Sequence, residues 1–203
     1  MRSKKSERRD LTQDKLIRAV GTVLSNQGFK GLGVNRVAKA AGVDKVLVYR
    51  YFGGLPELIE AYSKTVDFWP TVDELRGPNP DSLNRLKPDQ QVAQFFKSFL
   101  SALRKRPTTQ DILAWELLEK NQLSKHLEAI RNRTILEYFE RLDQVPDNRM
   151  LSAVVVLMAG AVNHLIIKTR ITRSIGGFDF DSQSSWDEVN AAIDLLCKGI
   201  FDS

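Results

Sequence analysis

Residues 34–52, VNRVAKAAGVDKVLVYRYF, constrain the fold of this chain more than any other stretch. Small apolar residues recur in its first half at three- and four-residue spacing, which predicts a short amphipathic helix. Gly42 follows at a position that favours a left-handed backbone and therefore the end of that helix. Asp44 comes next, and its carboxylate can accept the free amide hydrogens of a new helix. The stretch therefore predicts two short helices joined by a tight turn.

The second of these helices is expected to have one buried and one exposed side. Val48 and Phe52 are four residues apart and share the inward side. The outward side carries cations and aromatic hydroxyls, at Lys45, Tyr49, Arg50 and Tyr51. Such side chains suit a DNA major groove, where they can contact phosphates and base edges. The pattern indicates a helix-turn-helix, although a helical hairpin with a solvated basic face would look the same.

The charge distribution favours the DNA-binding interpretation. Residues 1–60 contain twelve Lys and Arg against six Asp and Glu, so this part alone carries a net charge of +6, whereas the whole chain carries +5. Positive charge therefore accompanies the helix-turn-helix, as expected for a polyanion partner. Residues 1–10 form a flexible basic arm in this interpretation, either reaching along DNA or merely solvated.

Other classes of protein are disfavoured. The single cysteine, Cys197, excludes an internal disulfide and fits a reducing cytoplasm. The longest apolar run, residues 150–167, contains Ser152, Asn163 and His164, so we expect no membrane span. The sequence has no phosphate-binding Gly loop, no Gly-x-Ser-x-Gly elbow and no metal-ligand spacing of histidines. We therefore predict no enzyme activity, no metal and no cofactor.

The fold class that follows is all-α. A first helix is expected from Thr12 to about Gln27, a fourth at residues 55–69 that begins next to Pro56, and a proline-rich loop at residues 70–88. Further apolar helices fill the chain from residue 89 onward.

Residues 12–69 resemble the DNA-binding domain of the TetR family of transcriptional regulators. The matching features are Gly28-Phe29, Val37-Ala38, Ala41-Gly42-Val43, Val48-Tyr49-Arg50-Tyr51-Phe52 and Glu57-Leu58. The resemblance implies a three-helix homeodomain-like DNA-binding domain at residues 11–54 and a helical ligand-binding and dimerisation domain at residues 55–203, whose fourth helix is the link. By position it also implies DNA contacts from Asn35, Arg36, Lys45, Val46, Leu47, Tyr49, Arg50 and Tyr51.

Four positions depart from the family pattern. Gly33 stands where the family usually has a Thr or Ser that caps the second helix, and Leu55 stands where it usually has a Lys. Val46-Leu47 replace a frequent Gly-Thr, and their side chains could pack on thymine methyl groups. Loss of two phosphate contacts should lower the salt dependence of DNA binding.

Residues 148–172 are apolar on too many sides for one domain to cover. Together with residues 186–201 they resemble the two helices through which the family forms homodimers. A helix that is buried wholly within one chain is the alternative.

Aromatic and polar side chains of the second domain form a candidate pocket for a small apolar or amphipathic effector: Phe96, Phe99, Trp115, Tyr138, Asn163 and His164. The alternative is that aromatic residues at helical spacing are simply core, which is the commoner case for any one of them. Asn163 and His164 are the more informative pair, because polar side chains within an apolar helix need partners.

The sequence thus predicts a cytoplasmic, homodimeric regulator that binds a palindromic double-stranded DNA operator. We expect a repressor that a small molecule releases. A helical interaction or ligand-sensing module with weakened DNA binding is the alternative, and Gly33 and Leu55 are the positions that favour it.

Overall fold

The computed structural model describes residues 4–142 and 149–201, which form eleven helices and one short antiparallel hairpin. The elements are α1 Lys4–Gln27, α2 Val34–Ala41, α3 Val46–Phe52, α4 Leu55–Ser63, α5 Val72–Arg76, α6 Pro80–Asn84, α7 Pro88–Arg104, α8 Pro107–Leu118, α9 Gln122–Glu140, α10 Arg149–Lys168, β1 Ser174–Ile175, β2 Phe178–Asp179 and α11 Gln183–Phe201. The sequence-based prediction of a chain break at Pro146-Asp147 falls outside the described residues.

The chain divides into two compact units that do not follow its linear order. The first contains the described residues of Met1–Trp69 and Arg106–Ile130, and the second those of Pro70–Lys105 and Arg131–Ser203. The boundary expected between residues 54 and 55 therefore lies inside the first unit. That unit includes α4, α8 and the first turns of α9 as well as the helix-turn-helix.

Helix α1 is longer than the sequence suggested. It begins at Lys4, so the expected flexible arm is helical from that residue onward. Thr12 is no N-cap, because it lies within the helix and its hydroxyl donates to the carbonyl oxygen of Arg8 over 2.8 Å. Lys, Arg and Glu are good helix formers, and Glu7 in the first turn favours the helix dipole. Local propensity thus extends a helix whose apolar residues only begin later.

Two glycines allow close packing around α1. A Cβ atom on Gly21 would lie 2.9 Å from the ring and hydroxyl of Tyr62, so only glycine lets α4 approach at this point. Gly28 ends α1 with φ +66°, and a Cβ atom there would lie 2.8 Å from the indole of Trp115. The Trp115 indole N–H donates to the carbonyl oxygen of Ser25 over 3.0 Å, which holds α8 against the C-terminal end of α1.

The segment after α4 differs from the prediction of one helix over residues 55–69. Helix α4 ends at Ser63, and Phe68 and Trp69 are buried in an irregular segment. The Thr109 hydroxyl of α8 donates to the carbonyl oxygen of Phe68 over 2.8 Å. Val66 in this segment is 59% exposed. Hydrogen bonds from α8 thus replace the last turns of the expected helix.

The expected loop at residues 70–88 contains two five-residue helices, α5 and α6. Thr71 and Asn79 cap them by accepting the backbone N–H groups of Glu74 and Ser82. Each helix buries apolar side chains, whereas the proline-rich composition of the segment had predicted a loop.

Helix α7 is the centre of the second unit, and α11, α5 and α10 pack against it. Its three phenylalanines, Phe95, Phe96 and Phe99, are completely buried. The Arg104 guanidinium lies 4.3 Å from the centre of the Trp186 ring of α11. The hairpin β1–β2 lies between α10 and α11, and α11 starts at Gln183, three residues earlier than predicted.

Helix α10 has a large exposed apolar surface. Leu151–Lys168 is long and apolar enough to cross a membrane by length and composition, so the expectation that no such run exists is wrong. The reason is that Ser152, Asn163 and His164 are uncharged and few. Helices that lie in the core or at an interface of soluble proteins pass the same test, which makes it weak support for a membrane span.

Candidate DNA-binding surface

The turn between α2 and α3 has the predicted geometry. Gly42 is left-handed with φ +66°, and its N–H donates to the carbonyl oxygens at the end of α2. The carboxylate of Asp44 accepts the N–H of Val46 over 2.8 Å, which satisfies one of the free donors at the start of α3. Val37 and Val48 are completely buried, and α3 packs against α4. Turn and packing together fix the orientation of α3.

The outward side of α3 is exposed, as the periodicity predicted. Val46 is 60% and Tyr49 is 56% exposed, and Lys45 and Arg50 are exposed as well. Leu47, Tyr51 and Phe52 are half-buried, so Phe52 is less covered than its predicted inward position implied. Among the described residues no carboxylate forms an ion pair with Lys45 or Arg50. Their charges are therefore available to an external polyanion.

A first concave surface lies beside α3 on the α2 side. It is lined by Gly33, Val34, Asn35, Arg36, Lys45 and Tyr49, so four predicted contact residues meet there. Gly33 is the N-cap residue of α2 and supplies no side-chain hydrogen bond. Amide, ammonium and phenol groups around one depression suit phosphate and base contacts.

Arg36 is partly committed to the protein. Its Nη1 atom donates to the carbonyl oxygen of Gly31 over 2.6 Å and to that of Lys30 over 3.3 Å. The guanidinium thus closes the turn after α1, while the rest of the group remains exposed. The resemblance to the TetR family had implied only a DNA contact for Arg36.

A second concave surface lies on the other side of α3 and was not predicted. The α3 residues that line it are Leu47, Arg50 and Tyr51, and the α1 residues are Arg8, Arg9 and Thr12. The Arg9 guanidinium carbon lies 5.6 Å from the centre of the Tyr51 ring, within the range of a cation–π contact. The basic composition of residues 1–10 was the sequence signal for this surface, and the start of α1 at Lys4 places Arg8 and Arg9 on a helix beside α3.

The candidate effector residues do not gather in one pocket. Phe96 and Phe99 lie in the α7 core, and Trp115 belongs to the first unit. Tyr138 is completely buried, and its hydroxyl has no hydrogen-bond partner among the described residues. His164 is exposed, so it does not face the interior of the described residues. Helical phase explains this, because His164 continues the exposed stripe of α10 rather than its buried side.

Asn163 lies instead at a groove in the second unit, between the C-terminal half of α9 and the length of α10 from Leu151 to Asn163. The groove has a volume of about 760 Å³. It is lined by Asn132, Ile135, Leu136, Phe139, Glu140, Leu142, Leu151, Ser152, Val155, Val156, Ala159, Gly160 and Asn163. The Oδ1 atom of Asn163 is buried and has no partner among the described residues.

Comparison with known proteins agrees with this geometry. Residues 16–62 match the family model described as bacterial regulatory proteins, tetR family. Among curated proteins, none matches this sequence. The fold is similar to that of a TetR-like transcriptional regulator from Rhodococcus sp. RHA1, with 17% identity, a TM-score of 0.61 and coverage of 92% of this chain and 93% of that one.

Two further structures share the fold. A TetR family transcription regulator from Marinobacter aquaeolei VT8 has 16% identity, a TM-score of 0.58 and 97% coverage of both chains. The fatty acid degradation regulator FadR from Bacillus halodurans has 17% identity and a TM-score of 0.60, and the match covers 92% of this chain and 94% of that one. A helix-turn-helix with an exposed basic face on an all-helical chain of this kind defines a DNA-binding transcriptional regulator. The protein is one, and residues 16–62, which contain its helix-turn-helix, are similar to the tetR family of bacterial regulatory proteins.

Proposed function

We propose that this regulator is a homodimeric, cytoplasmic repressor that binds two half-sites of a palindromic operator and is released by a small apolar effector. The exposed basic and aromatic side of α3 is the single observation that carries DNA reading. Asn35, Arg36, Lys45, Val46, Leu47, Tyr49, Arg50 and Tyr51 are the residues we assign to the operator. Cations position the protein on phosphates, and residues of α3 distinguish base edges.

The dimer rests on the exposed faces of α10 and α11. Val156 and Leu157 of α10 are 71% and 73% exposed, and Leu195 and Leu196 of α11 are 72% and 55% exposed. A Cβ atom added to Gly160 or Gly199 would meet no described atom within 4 Å, so a partner helix can approach closely at both. Apolar faces of this size are normally covered by protein. A second copy with the same faces would cover them around a two-fold axis.

The groove between α9 and α10 is the best-supported effector site. Its volume of about 760 Å³ suits a small molecule, and most of its lining is apolar. Asn163 offers one unpartnered carbonyl oxygen, so the ligand should have an apolar body and one hydrogen-bond donor. Val156 and Gly160 line the groove and also lie on the dimer stripe of α10. A ligand there can change the dimer geometry only if it binds one arrangement more tightly than another.

DNA reading is tested by selecting bound fragments from the source genome with the purified full-length protein. We expect one enriched sequence with two-fold symmetry, and an Arg50→Ala variant should lose the enrichment while keeping its melting temperature. The alternative function, an interaction or ligand-sensing module with weakened DNA binding, is favoured by Gly33 and Leu55. In that case mixed genomic DNA would show no salt-dependent mobility shift.

Effector release is tested on the selected operator with a panel of apolar amines, amides and alcohols. A compound that releases wild-type protein should lose potency against Asn163→Leu, which removes the acceptor but keeps the volume. His164→Ala is the matched control on the exposed stripe, and its response to the compound should stay unchanged. Equal potency on wild type and Asn163→Leu would exclude this groove as the site.

A further inference from the structure

The two concave surfaces beside α3 differ in the elements that form them and in how their cations are held. The first is formed by neighbours within the helix-turn-helix, and its Arg36 is held by backbone carbonyls. The second combines α3 with the N-terminal turns of α1, which lie about forty residues earlier in the sequence. Its cations, Arg8, Arg9 and Arg50, are all exposed.

Nothing within the described residues neutralises the second surface. No carboxylate there forms an ion pair with Arg8 or Arg9. The Thr12 hydroxyl already donates its hydrogen to the carbonyl oxygen of Arg8, so it cannot donate to a ligand as well. Three guanidinium groups around one depression repel each other in the free protein. An anion with several acceptor oxygens would relieve that repulsion, because each guanidinium can donate two parallel hydrogen bonds.

The contact between Arg9 and Tyr51 fixes the position of this surface relative to the reading helix. The guanidinium carbon lies 5.6 Å from the ring centre, so Arg9 stands beside α3 rather than free in solvent. Helical structure from Lys4 onward makes this placement rigid, whereas a flexible arm would have to be ordered on binding.

The first residues of α2 and α4 are not the cations that could meet DNA on this flank. The N-cap of α2 is Gly33, and α4 begins with Leu55 and Pro56. A duplex with its major groove on α3 has phosphates on both flanks, and on the flank of the second surface α1 offers Arg8 and Arg9.

On the basis of the proposed function, we infer that Arg8 and Arg9 of α1 form a phosphate clamp with Arg50 and Tyr51 of α3. The clamp holds the DNA backbone on one side of the reading helix. It contacts phosphodiester oxygens and therefore contributes affinity without sequence preference. Arg8, Arg9 and the second concave surface thus extend the DNA-binding surface beyond the helix-turn-helix.

The test is the salt dependence of DNA binding by the full-length protein. The affinities of Arg8→Gln and Arg9→Gln are measured from low to high KCl, on the selected operator and on a scrambled duplex of equal length. Each variant should reduce the slope of log affinity against log salt by about one, equally on the two duplexes. The ratio of specific to scrambled affinity should stay at the wild-type value.

Arg18→Gln is the matched control. It removes the same charge from the same helix, but it lies nine residues after Arg9 and hence on the opposite side of α1. Arg18 is exposed and lines neither concave surface. Its slope should equal that of wild type. If Arg18→Gln reduced the slope as much as Arg9→Gln, the change in net charge alone would explain both variants, and the clamp would be overturned.

Operators with single neutral methylphosphonate linkages separate a DNA clamp from a general anion site. At one linkage the neutral group should weaken wild-type binding but leave Arg9→Gln unaffected. If no linkage behaves in this way, or if inorganic phosphate alone abolishes the difference between wild type and variant, the clamp is wrong. Failure of the wild-type protein to bind any duplex would instead refute the proposed function, so the two failures are distinguishable.

Discussion

Helices α3 and α10 both expose large side chains, but they do so with different chemistry. On α3, Val46 and Tyr49 are more than half exposed and stand beside Lys45 and Arg50. On α10, Val156 and Leu157 are more exposed still, and the helix has no charged residue from Leu151 to Ile167. An exposed side with cations is well solvated in the free protein, whereas an exposed apolar side gains free energy when it is covered.

This difference in surface chemistry indicates which kind of partner each helix binds. A cationic face is well solvated, so leaving it exposed in the absence of DNA costs little free energy. It releases counterions when DNA binds. The uncharged face of α10 favours association even without DNA. We therefore expect the dimer to form first and to present two α3 helices to the operator.

The largest expected effect comes from a charge on the α10 stripe. Leu157→Glu would bring two desolvated carboxylates together near the two-fold axis, and we expect dimerisation at least about 100-fold weaker. Operator affinity should fall with it, since one α3 helix makes only part of the contacts. Light scattering and mobility shifts measure the two effects. Leu118→Glu, on an equally exposed leucine of α8, should change neither. A dimeric Leu157→Glu protein would contradict the assignment of this face.

The two sides of α11 can be compared by their thiol chemistry. Burial, with Asp194 and Asp89 nearby, raises the pKa of the Cys197 thiol to about 11. Since the thiolate is the reactive form, alkylation at pH 8 should be about two orders of magnitude slower than for a free thiol and should accelerate as pH rises toward 11. Leu195→Cys in a Cys197→Ala background tests the outward side. Its thiol should react readily only when the dimer is diluted into monomers.

Substitutions on α3 should separate reading from folding. Arg50→Ala and Tyr49→Ala should each cost on the order of 1–3 kcal/mol of operator binding, with melting temperatures close to wild type. Val48→Ala is the inward comparison, and removal of its buried methyl groups should lower the free energy of unfolding by about 2 kcal/mol. Equal losses of thermal stability in all three variants would contradict the assignment of the two sides.

The smallest effect is expected at the start of α4. Leu55→Lys adds a cation beside Gly54 and Pro56 and should steepen the salt dependence of DNA binding by about one unit. Titration of a scrambled duplex with KCl measures it. Leu118→Lys adds the same charge to α8 and serves as the control. An unchanged slope would show that this helix end lies away from the DNA backbone.

The sequence by itself determined the helix-turn-helix, because its signals are local. Gly42 needs only its own left-handed backbone, Asp44 caps the helix that follows it, and Val48 is placed inward by helical phase. The exposed side of α3 follows from the same periodicity. The all-helical class and the exposed apolar character of α10 could likewise be predicted from residue patterns.

Only the tertiary structure decided what depends on contacts distant in sequence. Thr109 of α8 and Arg106, its N-cap residue, donate hydrogen bonds to carbonyl oxygens of the segment after α4, so α8 joins the first unit instead of a separate ligand-binding domain. Arg9 acquired a role through its contact with Tyr51, and Arg36 through the carbonyl oxygens of the turn after α1. Periodicity assigns a side chain to one side of its own helix. It cannot say which other element will be packed there, because that depends on free energies summed over the whole chain.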